Sequence, residues 1–588
     1  MSIAHPSIIL ITGSFLIPLF KGKVKYAYIL LLSLIGMFIV FSLPKGIHWS
    51  YHFLNYKLIL GRVDSLSKIF CYVFSGILFL GLLYSLKIAD DLQLISAICY
   101  GASALGVVLA GDFLSLYIFW EIMAVSSSFL ILARRTESSK NAAFRYILVH
   151  VVGGLFLLAG IILYFIKNHT LEFGHLELND IDTYLLFIGI ALNGALFPLH
   201  PWLVDAYPEA SEAGSVFLCV FTTKSAVYLM ARTFAGAQIL IWLGMCMIII
   251  PMIYLVIEND IRRILSYSLL TQVGIMMAAI GIGTPMAVDG AVAHAFSHII
   301  YKALLFMSAG SVLYMTGKIK CTELGGLYRF MPLTAIFCII GACSISAVPF
   351  FNGYVSKSIV ISSAEKEKLF LLCLVLHFAC ACVIHGVKAP YFMFFRTKKE
   401  YKDVKDPPFN MILAMGITSF LCVFFGAYPK IFLKILPYPI SYEPYSLSHI
   451  LPQLQLLIFG GLALYLLMLS GLYPPEIRAI NLELDWFYRK GGKLLYKFFD
   501  KTLNKINDFC EKQSVRFISS CSEFVKELPV MAIMFFMVNY WILTGVRDRT
   551  LEIKKVKLYN NLKEGVLPVG LGASFSILFI GMLFILCR

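Results

Sequence analysis

The chain has 588 residues, of which 59% are hydrophobic and only 14% are charged. This composition excludes a soluble globular protein, because soluble domains carry about 25% charged residues. The formal charge of +15 does not indicate nucleic-acid binding, since the basic residues form short clusters between apolar stretches, as membrane loops do.

Stretches of about 20 apolar residues, the length of a helix that crosses a bilayer core of roughly 30 Å, recur from Ile8 to Cys587. The alternating pattern of barrel strands is absent, so helices must satisfy the backbone. We therefore predict an all-α, polytopic membrane protein with about 14–17 transmembrane helices. The first stretch lacks the basic start of a signal peptide, and we expect it to be the first helix.

Residues 1 to about 472 have the composition of one continuous helical bundle, and the region 473–588 differs from it. Between Lys493 and Val525, apolar residues recur at spacings of three and four, with charged residues between them. This pattern predicts an amphipathic helix on the membrane surface, or alternatively a soluble linker helix packed on the bundle. Two further spans are predicted at about Val530–Leu543 and Val566–Ile585.

Two charged residues lie near the middle of apolar spans, where each costs about 2.5–3.5 kcal/mol. Glu121 has no basic residue near it in its own span, so its partner must come from another helix. Lys224 is similarly central, and a buried lysine that lacks a charged partner can exchange its proton with a chain of water. The alternative is that both belong to static buried ion pairs.

His294, His298 and Lys302 follow one another at steps of four residues, which keeps them near one face of a helix. At a rise of 1.5 Å per residue they form a ladder roughly 12 Å long, a spacing suited to water-bridged proton transfer. A single histidine is more often a satisfied core residue. Three groups in register favour a functional role.

Two apolar spans contain residues that interrupt helices. Pro198 and Pro201 lie in the first, and Pro349 and Gly353 lie in the second. Discontinuous helices of this kind line transport sites, although a proline kink at the end of a span is the simpler alternative. Lys357 follows the second interruption and is the fourth basic residue of interest.

Together these residues resemble a known family. The ordered set resembles the antiporter-like subunits, which comprise the large subunits of Mrp-type multisubunit sodium/proton antiporters and the proton-pumping membrane-arm subunits of respiratory NADH:quinone oxidoreductase. The resemblance covers about residues 65–430. Its motifs are Phe119-Trp-Glu-Ile, Phe197-Pro-Leu-His-Pro-Trp-Leu, Asp205-Ala-Tyr-Pro, Ala293-His with His298 and Lys302-Ala-Leu-Leu-Phe, Leu324-Gly-Gly-Leu and Asn352-Gly-Tyr-Val-Ser-Lys357. Beyond the bundle, Asp485-Trp-Phe-Tyr-Arg-Lys490 is more similar to the D-type large subunit of the Mrp antiporters.

The resemblance implies two inverted five-helix repeats, each with a broken helix. The implied regions are N-terminal transmembrane helices at 1–92, a first antiporter-like repeat at 93–234, a second at 235–400, C-terminal bundle helices at 401–472, and the surface helix with two extra spans at 473–588. The implied proton path contains Glu121, Lys224, His294, His298, Lys302 and Lys357. One position departs from the family, since Asn193 stands where the family usually has a lysine that pairs with the glutamate.

The leading hypothesis is a proton-translocating subunit, most similar to the D-type, of a multisubunit Na⁺ or K⁺/proton antiporter in the inner or plasma membrane of a bacterium. Its partners would be other membrane subunits, protons, monovalent cations and the lipid bilayer. The chain has no dinucleotide fingerprint or cysteine cluster, so we expect no cofactor, no metal and no catalytic chemistry of its own. The alternatives are a membrane-arm subunit of NADH:quinone oxidoreductase and a non-transporting scaffold, which Asn193 favours.

Overall fold

The computed structural model describes residues 4–53, 56–396, 401, 403–477, 481–565, 573 and 576–582. The chain forms two units, Met1–Asp485 and Trp486–Arg588. In the described part, eleven helices are long and apolar enough to cross a membrane, and three shorter apolar helices accompany them. The prediction of an all-α, polytopic membrane protein is confirmed.

The N-terminal part contains a β-hairpin that the sequence analysis did not predict. The elements are α1 (Pro6–Ser14), α2 (Gly22–Ser42), β1 (Gly46–Phe53), β2 (Tyr56–Val63) and α3 (Ser65–Ser85). The two strands pair antiparallel. The backbone N–H of Ile59 donates to a carboxylate oxygen of Asp112 at 2.6 Å, so the hairpin is fixed to the start of a helix in the bundle.

The bundle consists of two successive sets of helices in the same order. The first set contains α4 (Asp91–Leu109), α5 (Phe113–Leu132), α6 (Glu137–Asn168), α7 (Ile181–Asn193), α8 (Pro201–Ala206), α9 (Gly214–Leu218) and α10 (Phe221–Thr233). The second contains α11 (Ile239–Ile257), α12 (Ile261–Ile282), α13 (Pro285–Thr316), α14 (Pro332–Ile345), α15 (Asn352–Ser363), α16 (Lys368–Leu376) and α17 (Cys382–Pro390). One π-helical segment, His377–Ala381, joins α16 to α17, and another, Tyr391–Phe395, follows α17.

The repetition extends to the ends of the helices. An aspartate caps the N-terminus of both α5 and α12, namely Asp112 and Asp260. Each of these two aspartates also pairs in an isolated β-bridge, Asp112 with Glu172 and Asp260 with Lys320. Both α6 and α13 contain 32 residues. These shared features allow the two sets, called here the first and second repeats, to be compared position by position.

Both repeats contain a helix that unwinds and restarts. After α7, Ala195 has a φ of 53°, and after α14, Ala347 has a φ of 57°. In each case the next backbone N–H returns to a carbonyl five residues earlier, at 3.0 Å for Leu196 and 3.1 Å for Val348. These left-handed caps end α7 and α14, and the chain then restarts as α8 and α15.

Three helices close the first unit: α18 (Phe409–Ala427), α19 (Pro429–Leu433) and α20 (Leu447–Leu469). The later helices are α21 (Asp485–Leu543) and α22 (Arg549–Lys563). The 59-residue α21 joins the predicted surface helix and the predicted span at Val530–Leu543 into one helix, with Pro529 inside it. Most of the last predicted span, Val566–Ile585, lies outside the described residues.

Candidate functional site

Lys224 of α10 is fully buried, and neutral oxygen atoms bind its ammonium group. Its Nζ donates to the carbonyl of Cys219 at 2.7 Å and to the hydroxyl of Thr223 at 3.0 Å. Cys219 lies where the chain passes from α9 to α10, so that short break supplies an acceptor to the lysine. No ion pair joins Lys224 to Glu121, although both residues are described.

Glu121 of α5 packs against the backbone of α6. A Cβ atom added to Gly154 would lie only 2.1 Å from Oε1 of Glu121, so the carboxylate occupies the space that a side chain at 154 would need. This Oε1 atom is buried and has no hydrogen-bond partner in the described part of the chain. A carboxylate in this setting is available to a proton or a cation.

Asn193, the last residue of α7, is fully buried. Neither its amide nitrogen nor its amide oxygen has a hydrogen-bond partner among the described residues. A Cβ added to Gly153 would lie 3.5 Å from the amide oxygen of Asn193, so Gly153 and Gly154 face Asn193 and Glu121 respectively. Unpaired buried polar groups of this kind cost free energy and need an explanation.

His150 lies one turn before these glycines on α6. Its Nδ1 is 2.9 Å from the carbonyl oxygen of Tyr146, and its ring stacks on the Tyr146 ring with centroids 4.0 Å apart. The ring also contacts Trp202 edge to face, at 4.6 Å. Its Nε2 is buried without a partner in the described residues. His150 lies inside an apolar span but was not among the residues predicted from the sequence.

The two long helices α6 and α13 carry complementary groups. Aligned from their first residues, three pairs of positions correspond: Tyr146 with His294, His150 with His298, and Gly154 with Lys302. In the first repeat the ionisable group comes from α5, because Glu121 fills the space beside Gly154. In the second repeat it comes from α13, because Lys302 reaches back to α12. One repeat therefore presents an acid and the other a base at related positions.

Lys302 is fully buried and binds two groups of α12. Its Nζ donates to the Oγ of Ser268 at 2.6 Å and to the carbonyl of Leu265 at 3.1 Å. The Oγ of Ser268 is in turn 2.6 Å from Nδ1 of His385 on α17. With the His385 ring proton on Nε2, the Ser268 hydroxyl donates this second bond to Nδ1.

His294 of α13 contacts both α12 and α15, the second half of the second broken helix. Its Nε2 lies 3.1 Å from Oε1 of Gln272, and its Nδ1 lies 3.1 Å from the hydroxyl of Ser356 on α15. The amide nitrogen of Gln272 lies 3.1 Å from Nε2 of His377. His298 stands apart, because neither of its ring nitrogens has a hydrogen-bond partner in the described part of the chain. The three residues of the predicted ladder are all buried on α13.

Lys357 of α15 lies at the second break. Its Nζ donates to the carbonyl of Ile345, the last residue of α14, and lies 5.1 Å from the centroid of the Phe378 ring. Gly353 is required at this break, because a Cβ there would lie 1.9 Å from the carbonyl oxygen of Ser344. Pro349 is in the turn between the half-helices. The unwound backbone thus supplies the oxygen that binds the lysine.

The first break has acidic and basic neighbours that the sequence analysis missed. Pro198 and Pro201 flank His200, whose Nε2 lies 3.2 Å from a carboxylate oxygen of Glu483. The other oxygen of Glu483 accepts from the hydroxyl of Tyr267 at 3.0 Å. Glu483 is remote in sequence from both partners, so the spacing of residues gave no signal for this contact.

Further contacts hold the segment around Glu483 on the bundle. The carbonyl of Leu482 accepts from the Tyr254 hydroxyl at 2.9 Å. Farther back, Glu476 forms a buried ion pair with Lys388 at 2.9 Å, and Lys388 also donates to three carbonyls at the end of α11. Burial raises the pKa of the Glu476 carboxyl above its ordinary value, although the Lys388 ammonium opposes the shift.

A protein-family model matches an internal part of the chain that contains most of the site residues described above. Residues 110–384 match the family model described as NADH:quinone oxidoreductase/Mrp antiporter, TM. Slightly less than half of the chain is therefore similar to this family. All residues of the predicted proton path, from Glu121 to Lys357, fall inside the match. Within the described residues, no group of three or more His, Cys, Asp or Glu side chains is arranged to hold a metal ion.

Similar proteins include the Na(+)/H(+) antiporter subunit A1 of Staphylococcus aureus strains MRSA252 and Newman. Each is 27% identical to this chain over 537 residues, which cover 82% of this chain and 66% of the relative. The chain thus spans slightly less than two thirds of the length of these curated relatives.

Two solved structures share the fold of this chain over about three quarters of its length. One is the Mrp complex from Dietzia sp. DQ12-45-1b, with a TM-score of 0.66 and 18% identity, covering 76% of this chain and 98% of that chain. The other is the membrane-bound sulfane sulfur reductase, an archaeal respiratory membrane complex, with a TM-score of 0.65 and 22% identity, covering 74% and 96%. At these identities the likeness establishes the fold.

Proposed function

We propose that the chain is a proton-translocating subunit of a multisubunit monovalent cation/proton antiporter of the Mrp class. The observation that carries the proposal is the environment of Lys224 and Lys302, which are fully buried and donate to neutral oxygens in the described structure. A buried ammonium group that is not held by a carboxylate changes its protonation when a neighbouring charge moves. Such groups can load and release protons in sequence.

The proposed path runs through Glu121, Lys224, His294, Lys302 and Lys357. His298, which the resemblance also implied, is left out of it, because neither of its ring nitrogens has a hydrogen-bond partner in the described part of the chain. Glu121 in the first repeat and the lysines Lys302 and Lys357 in the second supply charges of opposite sign. Protonation of one group therefore changes the proton affinity of the next group along the path. The unpaired Asn193 has no titratable group of its own, and we assign it to binding water or a cation beside Glu121.

The subunit type is proposed at the level of the class. The motif Asp485–Lys490 favours a D-type subunit, whereas the similar staphylococcal proteins are named subunit A1. The D-type assignment is therefore not confirmed. We propose other membrane subunits as partners, protons with Na⁺ or K⁺ as cargo, and the plasma or inner membrane of a bacterium as the location.

The proposal is tested by cation-induced collapse of a pH gradient. Everted vesicles from an antiporter-deficient strain would contain the complete assembly, with wild-type chain, Lys357→Ala or Glu121→Gln. The exposed Lys140, which pairs with Glu137 on the surface, provides the matched control as Lys140→Ala. We expect Na⁺ or K⁺ to collapse the gradient in wild type and control, and not in the other two. Wild-type vesicles that do not respond to any cation would refute the proposal.

A second candidate is a membrane-arm subunit of a redox-driven complex. The fold match to an archaeal respiratory membrane complex favours it. In that case a respiratory substrate would generate the proton gradient and Lys357→Ala would abolish it, while added Na⁺ or K⁺ would have no effect. The same vesicles, supplied with substrate or with cation, separate the two candidates.

A further inference from the structure

We propose that His385, and not His298, exchanges protons with Lys302 in the second repeat, through the hydroxyl of Ser268. This inference rests on the proposed function and names a relay residue that lies outside the sequence motifs of the family. Its basis is a continuous set of short hydrogen bonds that leaves α13 at Lys302, crosses α12 at Ser268 and ends on α17 at His385.

The hydrogen bonds in this set have a defined direction. The Nζ of Lys302 can only donate while it is charged, so the Oγ of Ser268, at 2.6 Å, accepts. The Ser268 proton then points to Nδ1 of His385, also at 2.6 Å. We assign neutral His385 the tautomer that carries its proton on Nε2, which makes Nδ1 the acceptor of the bond from Ser268. Both distances are short enough for transfer without any movement of the backbone.

The transfer step balances within these three residues. An N–H bond of the Lys302 ammonium breaks as its proton passes to Oγ of Ser268, and the original hydroxyl proton forms an N–H bond with Nδ1 of His385. The products are a neutral lysine, an unchanged serine and an imidazolium. The imidazolium then releases the proton from Nε2, which has no hydrogen-bond partner in the described residues.

The ring beside His385 is that of His377, on the π-helical segment before α17. The His377 and His385 centroids are 5.3 Å apart and the rings meet edge to face. Gln272 fixes His377 by donating to its Nε2 at 3.1 Å, which leaves Nδ1 of His377 unpaired in the described residues. Because His377 accepts at Nε2, its neutral ring carries its proton on Nδ1. A water molecule between the two unpaired nitrogens would accept from both N–H groups, so the proton released from Nε2 of His385 passes to this water and not to His377.

Gln272 is a positioning residue in this arrangement. Its amide does not titrate, but its oxygen accepts from His294 at 3.1 Å while its nitrogen donates to His377. It thereby sets the tautomers of both rings. Phe378, the neighbour of His377, lies under the Lys357 ammonium at 5.1 Å, so His377 is close to the second broken helix, although the phenyl ring itself carries no proton. The ionisable groups that act on His385 are His377 on the π-helical segment before α17, Lys302 on α13 and Lys357 on α15.

His298 lacks these connections. It is fully buried on α13, yet neither ring nitrogen has a hydrogen-bond partner in the described part of the chain. Its ring packs edge to face on Tyr301 at 5.2 Å, which is an apolar packing contact. A proton that left Lys302 toward His298 would have no connected acceptor, whereas the route through Ser268 is already connected.

The test compares His385→Gln with the matched control His298→Gln in the complete assembly. Both residues are buried histidines, and glutamine can still accept a hydrogen bond from a neighbour but cannot carry a proton. We expect His385→Gln to lower the rate of cation-driven proton movement at least 10-fold, as Lys302→Met does. His298→Gln is expected to stay within twofold of wild type. The inference is overturned if His385→Gln transports at the wild-type rate while Lys302→Met is inactive.

A second pair of variants separates proton relay from packing. Ser268→Ala removes the hydroxyl, and Ser268→Thr keeps it. We expect at least a 10-fold loss for alanine and substantial recovery for threonine, with equal amounts of assembled complex. Equal rates for the two variants would overturn the inference even if His385→Gln did not assemble. A wild-type assembly that moves no protons in response to cations would instead refute the proposed function.

Discussion

The contact between Glu121 and Gly154 allows a substitution that moves a carboxylate without removing it. In Gly154→Ala, the new methyl group would lie 2.1 Å from Oε1 of Glu121. An ordinary van der Waals contact begins near 3.4 Å, so the oxygen must retreat by roughly 1.3 Å. The atom that has to move is the end of a flexible side chain, so the fold can absorb the change. Alanine also stabilises a helix interior by about 1 kcal/mol relative to glycine.

We therefore expect Gly154→Ala to assemble at wild-type levels and to transport roughly 10- to 100-fold more slowly, because displacements of about 1 Å have effects of this size on proton-transfer geometry. Gly153→Ala is the matched control, since its methyl group meets a Leu192 side-chain carbon at 3.1 Å and no carboxylate. The assay is the initial rate of gradient collapse per amount of assembled complex. Equal rates for Gly154→Ala and Gly153→Ala would refute the role of Glu121.

Three further substitutions test other parts of the account. Asn193→Leu removes two unpaired buried polar atoms, so the melting temperature in detergent should stay equal or rise. Transport should fall at least fivefold. Unchanged transport would show that Asn193 has no role in it. Lys388→Met leaves the Glu476 carboxylate buried without its ion-pair partner and should lower the free energy of unfolding by about 3–5 kcal/mol. The measurement is the melting temperature, which should fall, and an unchanged melting curve would contradict this expectation. Gly353→Ala places a methyl group 1.9 Å from the carbonyl oxygen of Ser344, which is part of the backbone and cannot easily move. Little assembled complex should therefore be recovered by size-exclusion chromatography. A normal yield would show that the backbone between α14 and α15 can move apart.

The helical architecture and the broken helices could be predicted because they depend on local composition. Apolar length determines a membrane span, and proline, glycine and asparagine interrupt it. Buried charges such as Lys302 also stand out, because they are rare in apolar sequence. The hairpin Gly46–Val63 was missed, since its two short strands are stabilised by a contact with Asp112 that is remote in sequence.

The partners of the charged residues could not be predicted from one helix at a time. The ladder on α13 suggested transfer from His294 through His298 to Lys302, because these residues share a face. In the structure, Lys302 bonds across to Ser268 and then to His385, contacts that depend on the packing of three helices. His377 and His385 are eight residues apart in an apolar stretch, and that spacing was a signal available in the sequence.

The position of Glu483 beside His200 is also a tertiary feature. Glu483 belongs to the charged region 473–588 after the main bundle, ten residues before the predicted surface helix between Lys493 and Val525. Its carboxylate instead lies at the first broken helix of the same unit, held by Tyr267. Composition predicts the class of a segment, but the contacts of a single side chain depend on the path of the chain through the bundle.

The central claim is that buried basic groups of this chain carry protons in exchange for a monovalent cation. The most direct measurement is the internal pH of proteoliposomes that contain the purified complete assembly, after an outward Na⁺ or K⁺ gradient is imposed. We expect the lumen to acidify with the wild-type chain and not with Lys302→Met at an equal amount of assembled protein. Acidification at the same rate in both preparations would contradict the claim.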